Sequence, residues 1–275
     1  MGTKVVRHRT IRGGSSSAMH TLWLDRPVDG ADSVVLRRYV IAKVVDEEPD
    51  IAAREARTLQ FVERAPVPTP RMLALDPTGA EAGVPSIVMS RLLGRIDWAP
   101  ADLDPWLRRL AGVLPHFHAL RFDAADGIRD FRPYDPESWT APLWMVRPAL
   151  WDRAVEVFHQ PPLDRERVFV HRDFHPGNVL WRRGRVTGVV DWQAGCIGPP
   201  SVDAFWCRVN IMGSFGLEFA DRFVDVWQEL SGRTYHPWAE VVMLLDVIAW
   251  PIERKPQERD DLEHALARRL SELGA

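Results

Sequence analysis

Residues 168–192 read Val168-Phe169-Val170-His171-Arg172-Asp173-Phe174-His175-Pro176-Gly177-Asn178-Val179-Leu180-Trp181-Arg182-Arg183-Gly184-Arg185-Val186-Thr187-Gly188-Val189-Val190-Asp191-Trp192. Short runs of β-branched and aromatic residues alternate here with turn residues, which predicts strands joined by tight turns. The segment Trp181 to Arg185 supplies the turn of a hairpin. The second hairpin strand ends in an acid, Asp191, and the hairpin carries that acid back toward Asn178. Asp173, five residues before Asn178, sits on the loop leading into the hairpin. The stretch thus offers two carboxylates and one amide from one loop and the end of one hairpin.

The spacing His171-Arg172-Asp173 followed by Asn178 fits the catalytic-loop pattern H-R-D-x-x-x-x-N of kinases. Phosphoryl transfer needs a positioned hydroxyl, a metal clamp and positive charge around the phosphates. Asp173 is suited to accept a hydrogen bond from an attacking hydroxyl. Asn178 and Asp191 offer hard oxygens for Mg2+, which keeps several waters and needs only one or two protein ligands.

Upstream, the first third of the chain reads as strands. Val5 to Ile11, Met19 to Leu24 and Ser33 to Ile41 are separated by Gly13-Gly14-Ser15-Ser16-Ser17 and by a turn over residues 25–32. Residues 46–65 predict one helix, with Ile51, Ala52, Glu55, Leu59 and Val62 at helical spacing and Pro66 just beyond its end. Two short strands follow, over 72–75 and 86–92. The chain then turns helical, with helices expected over 104–120 and 151–159. After Pro199-Pro200 four more are expected, over 202–209, 217–230, 238–250 and 258–273. A small β-rich part followed by a larger helical part predicts an α+β chain of two lobes, divided near residue 92 into 1–92 and 93–275.

The Asp173 stretch together with Val189-Val190-Asp191-Trp192 resembles the aminoglycoside phosphotransferase family of small-molecule kinases, whose fold is protein-kinase-like. Leu114 to Leu120, Gly198 to Asp203 and Arg54-Glu55-Ala56 are similar to further family segments in the same order, so the resemblance spans roughly residues 5 to 230. It implies a bilobal fold with a nucleotide-binding first lobe and a helical second lobe holding the acceptor. It implies Asp173 as catalytic base and Asn178 and Asp191 as ligands of Mg2+. Val34-Val35-Leu36-Arg37 falls where kinases carry V-A-I-K, so Arg37 would meet the nucleotide phosphates and Glu55 would pair with it. Strand alternation puts Val35 on the same face as Arg37, where it would line the base pocket. Met89 and Ser90 would form the hinge around the purine of ATP or GTP, and Ser15 and Ser16 would cradle phosphate.

The chain departs from the pattern in three places. Arg37 replaces lysine with a planar, always charged fork, and Arg38 is a competing phosphate ligand. The loop at Gly13 lacks G-x-G-x-x-G spacing. Asp191 is followed by Trp192-Gln193, and neither an A-P-E segment nor a long activation loop is present. The last point favours a small hydroxylated acceptor over a protein substrate. His118 and His171 read as packing residues, Asp203 as a backbone anchor near the catalytic loop, and Cys196 and Cys207 as inert.

Composition bounds the remaining classes. The chain has 275 residues, 46% hydrophobic and 27% charged, with a formal charge of −3, so a nucleic-acid surface is not expected. Two cysteines build neither a disulfide framework nor a Cys-rich zinc site. No apolar run approaches the roughly 18–20 residues of a membrane span, and the polar, basic N-terminus is no secretory signal. A soluble cytoplasmic monomer or homodimer without membrane or nucleic-acid partners is expected. Only three of the 35 basic residues are lysines, which codon usage explains most simply. In the helical part, Trp206, Trp227, Trp238 and Trp250 read mostly as core. Asp221, Asp225, Glu229, Glu240, Asp246 and Glu253 read mostly as solvated helix faces, with a minority left to bind a cationic acceptor. The expected reaction is transfer of a γ-phosphoryl group to an antibiotic-like natural product: an aminoglycoside, a macrolide or a nucleoside antibiotic. Two alternatives are a metabolic kinase for an amino alcohol, homoserine or sugar, and a nucleotide-binding pseudokinase.

Overall fold

The computed structural model describes residues 2–11, 17–133, 140–249, 253 and 255–274. In chain order these form β1 (Val5–Ile11), β2 (Ala18–Val28), β3 (Ala31–Arg38), α1 (Ala42–Glu47), α2 (Ile51–Val62), β4 (Met72–Asp76) and β5 (Ser86–Ser90). Then come α3 (Leu103–Ala111), α4 (Leu114–His118), α5 (Pro148–Phe158), β6 (Val168–Val170), β7 (Val179–Arg182), β8 (Arg185–Val189) and β9 (Cys196–Gly198). The chain ends in α6 (Ser201–Phe215), α7 (Leu217–Ser231), α8 (Pro237–Ala249) and α9 (Pro256–Glu272). The fold is α+β, and none of its described helices is long and apolar enough to cross a membrane.

The chain divides into two compact units. The first comprises Met1–Asp97, Phe122–Ile128 and Gly177–Gly195, and the second comprises Trp98–Arg121, Arg129–Pro176 and Cys196–Ala275. The sequence reading places a single division near residue 92, whereas the β7–β8 hairpin groups here with the first unit.

The first unit is built on an antiparallel five-stranded sheet in the order β1-β2-β3-β5-β4. Its tightest turn is Asp29-Gly30, with φ of 49° and 77°, the left-handed pair that a two-residue hairpin requires. The turn is therefore narrower than residues 25–32, and β2 continues through Pro27. α2 lies against β4 and β5 and buries Ile51, Ala52, Leu59 and Val62, the residues whose spacing predicts it. The helix expected from residue 46 starts later, as α2 at Ile51, because Pro49 lacks an N–H and clashes with the preceding turn; the short α1, absent from that expectation, ends ahead of it at Glu47. The hairpin β7–β8 closes through Arg183 and Gly184 at φ of 51° and 69°. It joins the rest of the unit through Val189 N–H donating to Pro68 O at 3.0 Å and Thr187 Oγ1 donating to Leu93 O at 2.7 Å.

The second unit is helical around one small ladder, β6 against β9. α6 packs on α7 and α8, and α9 on α5 and α8. Trp151, Phe205, Trp227 and Leu244 are fully buried among these helices. The helix expected over 104–120 divides into α3 and α4, around Gly112-Val113 and ahead of Pro115. Pro148 and Pro256 each open a helix, where a missing N–H costs nothing.

Candidate active site

The first unit gathers Arg37, Glu55, Asp191 and Asn178. Alternation along β3 turns Val35 and Arg37 to the buried face, leaving them 8% and 2% exposed. Arg37 Nη1 donates to Glu55 Oε1 at 2.6 Å, and Nη2 donates to Asp191 Oδ1 at 2.9 Å. The other Glu55 oxygen accepts from the Tyr39 hydroxyl, so α2 presents a buried carboxylate with both oxygens engaged. Burial by itself would lower the Arg37 pKa, but the charges of Glu55 and Asp191 outweigh it and the guanidinium stays charged. Burial first, and the Glu55 carboxylate second, hold the Tyr39 phenol protonated. Tyr39, through Glu55, joins the candidate site and is absent from the sequence reading. The signal is present in the alternation itself, which continues Val35, Arg37, Tyr39.

Asp191 sits at the open end of the hairpin. Val179 pairs with Val189, and Val190 N–H donates to the Asn178 carbonyl at 2.9 Å. Asn178 and Asp191 therefore flank the same end of one ladder. Asp191 has φ of 70°, a left-handed conformation that Asp and Asn adopt more readily than other non-glycine residues. Its side chain remains 25% exposed although Arg37 holds one oxygen. An amide oxygen and a partly open carboxylate are the donor chemistry that Mg2+ takes, so these residues fit that ion.

Val35 pairs with Met89, and Val34 with Ser90, across β3 and β5. Val35 and Met89 thus form an apolar cross-strand pair. Ser90 Oγ accepts from Arg71 N–H at 2.9 Å, and its own N–H donates to Arg71 O at 2.8 Å, tying this end of β5 to the strand before it. Arg38, the competing cation, donates to Ala82 O at 3.2 Å. Ser15 and Ser16 lie outside the described residues.

The second unit carries Asp173 on the loop after β6. That loop is held by Asp203 of α6, which is fully buried. Asp203 accepts from the N–H groups of His171 at 3.0 Å and Arg172 at 2.7 Å, and its Oδ2 lies 3.0 Å from His118 Nε2. A carboxylate accepting two buried backbone N–H groups makes strong, charge-assisted bonds. They stabilise Arg172 at φ of 67°, a conformation costly for a non-glycine residue. Asp173 N–H donates to His171 Nδ1 at 3.3 Å. The Asp173 carboxylate is 40% exposed, with His175 Nε2 at 3.8 Å. Asp203 is thus the backbone anchor that its sequence context predicts, and His118 and His171 are buried, as expected of packing residues.

Of the acidic residues of the helical part, Asp225, Glu229 and Glu253 are exposed as expected, whereas Asp221 and Glu240 are drawn into ion pairs between helices. Arg208 is 1% exposed and donates to Glu240 at 2.8 Å and to Asp221 at 2.8 Å. Arg269 donates to Glu240 at 2.8 Å and Glu272 at 2.7 Å, and Arg268 donates to Asp221 at 2.9 Å. Glu229 pairs with Arg108 at 2.7 Å. Helical spacing does not reveal this, because the partners lie on different helices. Trp227 and Trp238 are core, as expected. Trp206 is half-buried, and Trp250 lies outside the described residues. Both cysteines are buried thiols, and burial pushes the Cys196 pKa up to about 12.

Comparisons with known proteins agree with this architecture. YcbJ of Bacillus subtilis (strain 168), an uncharacterized protein, is 26% identical over 244 residues, covering 80% of this chain and 75% of that protein. The N-acetylmuramate/N-acetylglucosamine kinase of Neisseria meningitidis serogroup B is 36% identical over 118 residues, which are 41% of this chain and 32% of that enzyme. Among solved structures, the aminoglycoside phosphotransferase APH(4)-Ia in ternary complex with AMP-PNP and hygromycin B is similar in fold. It has a TM-score of 0.64 at 19% identity, covering 99% of this chain and 95% of its own. The macrolide 2'-phosphotransferase MphH of Brachybacterium faecium gives a TM-score of 0.57 at 21% identity, with 96% and 94% covered. The phosphotransferase enzyme family, APH, matches residues 9–241. With most of its length matched, its α+β fold shared and the Asp173, Asn178 and Asp191 spacing in place, the chain belongs to the APH phosphotransferase enzyme family.

Proposed function

We propose that this phosphotransferase moves the γ-phosphoryl group of ATP or GTP to a hydroxyl of a small, antibiotic-like natural product. The observation that carries the reading is the Arg37–Asp191 contact at the open end of the Asn178–Asp191 hairpin. It joins a cation suited to phosphate and a metal-type oxygen pair in one compact unit. Asp173 accepts the proton of the acceptor hydroxyl as its oxygen bonds to the γ-phosphorus, and the nucleoside diphosphate leaves. Asp203 keeps Asp173 in place by fixing the backbone of the two residues before it. Arg37 supplies positive charge for the phosphates, and Glu55 and Tyr39 hold its fork in position. A divalent ion bound by Asn178 and Asp191 would supply charge neutralisation at the β- and γ-phosphates. Val35 and Met89 would line the purine pocket, with Ser90 at the hinge.

Asp221 and Glu240 are each matched to arginine within the helical unit, which removes them as free ligands for a cationic acceptor, while Asp225 and Glu253 stay exposed. A metabolic amino-sugar acceptor is the second reading, favoured by the 36% identical amino-sugar kinase segment.

The test is acceptor-dependent release of ADP or GDP across hydroxylated antibiotics and amino sugars, with Asp173→Ala as control. Release that the variant loses supports the reading and names the acceptor class. Nucleotide binding without release for any acceptor would favour a pseudokinase, and no nucleotide binding would overturn the assignment.

A further inference from the structure

Both terminal nitrogens of the Arg37 guanidinium are committed. The side chain is 2% exposed, and the two nitrogens donate to carboxylates on different elements, Glu55 on α2 and Asp191 after β8. Nη2 also lies 3.5 Å from Met19 Sδ. Its Nε is buried with no hydrogen-bond partner, an unfavourable state for a polar group. A cation built to meet phosphate is thus shut away from solvent and bonded to the carboxylate that a metal ion needs.

Resting on the phosphotransferase reading above, we propose that Arg37 is a tethered cation competing with the divalent ion for Asp191, so that metal alone binds poorly and metal with nucleotide binds well. The nucleotide changes the balance because its phosphate oxygens accept the hydrogen bond that Nη2 gives up when it leaves Asp191. Nη1 need not move, since Glu55 stays fixed by Tyr39. The geometry requires arginine. A lysine has one nitrogen at the end of its chain, whereas the planar fork places two nitrogens on two acids at once. The cluster holds one guanidinium against two carboxylates, so a second cation is electrostatically welcome once the first turns to phosphate. By linkage, metal and nucleotide then raise each other's affinity by the same factor.

Mn2+ binding to the full chain, read by electron paramagnetic resonance with and without a non-hydrolysable nucleotide, tests this. In the wild type, nucleotide should tighten Mn2+ binding strongly. Arg37→Gln and Arg37→Lys should each bind Mn2+ alone more tightly by about tenfold or more, because the competitor is removed or shortened. Both should lose most of the nucleotide-dependent gain. Arg37→Lys keeps a cation beside Glu55 and carries the test if Arg37→Gln fails to fold. Unchanged or weaker Mn2+ binding in the folded variants, with wild-type coupling intact, would overturn the competition and leave the phosphotransferase reading standing. Absence of any Mn2+–nucleotide binding by the wild type would overturn both.

Discussion

Each unit contains a buried arginine held between carboxylates, and the two clusters differ in charge. In the second unit, Arg208, Arg268 and Arg269 meet Asp221, Glu240 and Glu272, three cations against three anions. Glu240 is fully buried between two guanidinium groups, with Tyr235 under Arg269 at 5.2 Å. In the first unit, one guanidinium meets two carboxylates, with Tyr39 as a neutral donor. One of those acids stays partly open at a hairpin end in a left-handed conformation. The balanced cluster joins α6, α7, α8 and α9 and asks for nothing more. The unbalanced one leaves a surplus negative charge at the hairpin end, which we propose a divalent cation meets.

The sharpest way to break this comparison lies at Asp173, the carboxylate that belongs to neither cluster. Asp173→Ala is expected to lower turnover by roughly 10²–10⁴-fold, the contribution of a positioned general base. Nucleotide affinity should stay within about twofold, as read by calorimetry, because no nucleotide role falls to Asp173. Equal losses in turnover and nucleotide affinity would place Asp173 in nucleotide binding instead.

The next largest effect separates the clusters by stability. Glu240→Gln leaves two buried guanidinium groups short of a partner and should cost about 3–5 kcal/mol in denaturant unfolding, as breaking a buried pair does. Asp191→Asn removes surplus charge and keeps a side chain that tolerates positive φ, so it should cost less than about 1 kcal/mol. Similar costs at the two positions would mean that the imbalance carries no information about function.

A smaller effect appears in acid. Burial alone would raise the Asp221 pKa, but the Arg208 and Arg268 contacts prevail and hold it below its ordinary value of 3.8. The unfolded chain then binds that proton more readily than the folded one. The stabilisation is therefore complete above about pH 4 and is lost as pH falls through the lowered folded value. Asp221→Asn should flatten the fall in stability below that pH, measured by unfolding at a series of pH values. An unaltered slope would show that Asp221 is not so linked.

The smallest signal is chemical. Burial raises the pKa of both thiols, and reactivity belongs to the thiolate. A disulfide reagent should label neither Cys196 nor Cys207 in the native protein near neutral pH and should label both after unfolding. Rapid native labelling would mean that the ladder β6–β9 or α6 opens readily.

The legible parts of the sequence were those whose meaning is local. The run from Val168 to Trp192 carries its strands, its turn and its three polar side chains within 25 residues, and alternation along β3 puts Arg37 inward beside Glu55. The later start of α2 beyond Pro49 and the break between α3 and α4 at Gly112-Val113 are local too, since proline and glycine chemistry marks both. Tyr39 was one alternation step away. The pairing of Arg208 with Glu240 and of Asp203 with the amides of His171 and Arg172 joins residues about 30 apart. Tertiary packing decides such contacts, and no periodicity within a single helix reports them.

The most direct test of the central claim compares the Mg2+ dependence of nucleotide affinity, by calorimetry, in the wild type, Asp191→Asn and Asp221→Asn. The unbalanced cluster predicts Mg2+-dependent binding in the wild type and in Asp221→Asn, and its loss in Asp191→Asn. Mg2+-dependent affinity retained in full by Asp191→Asn would contradict it.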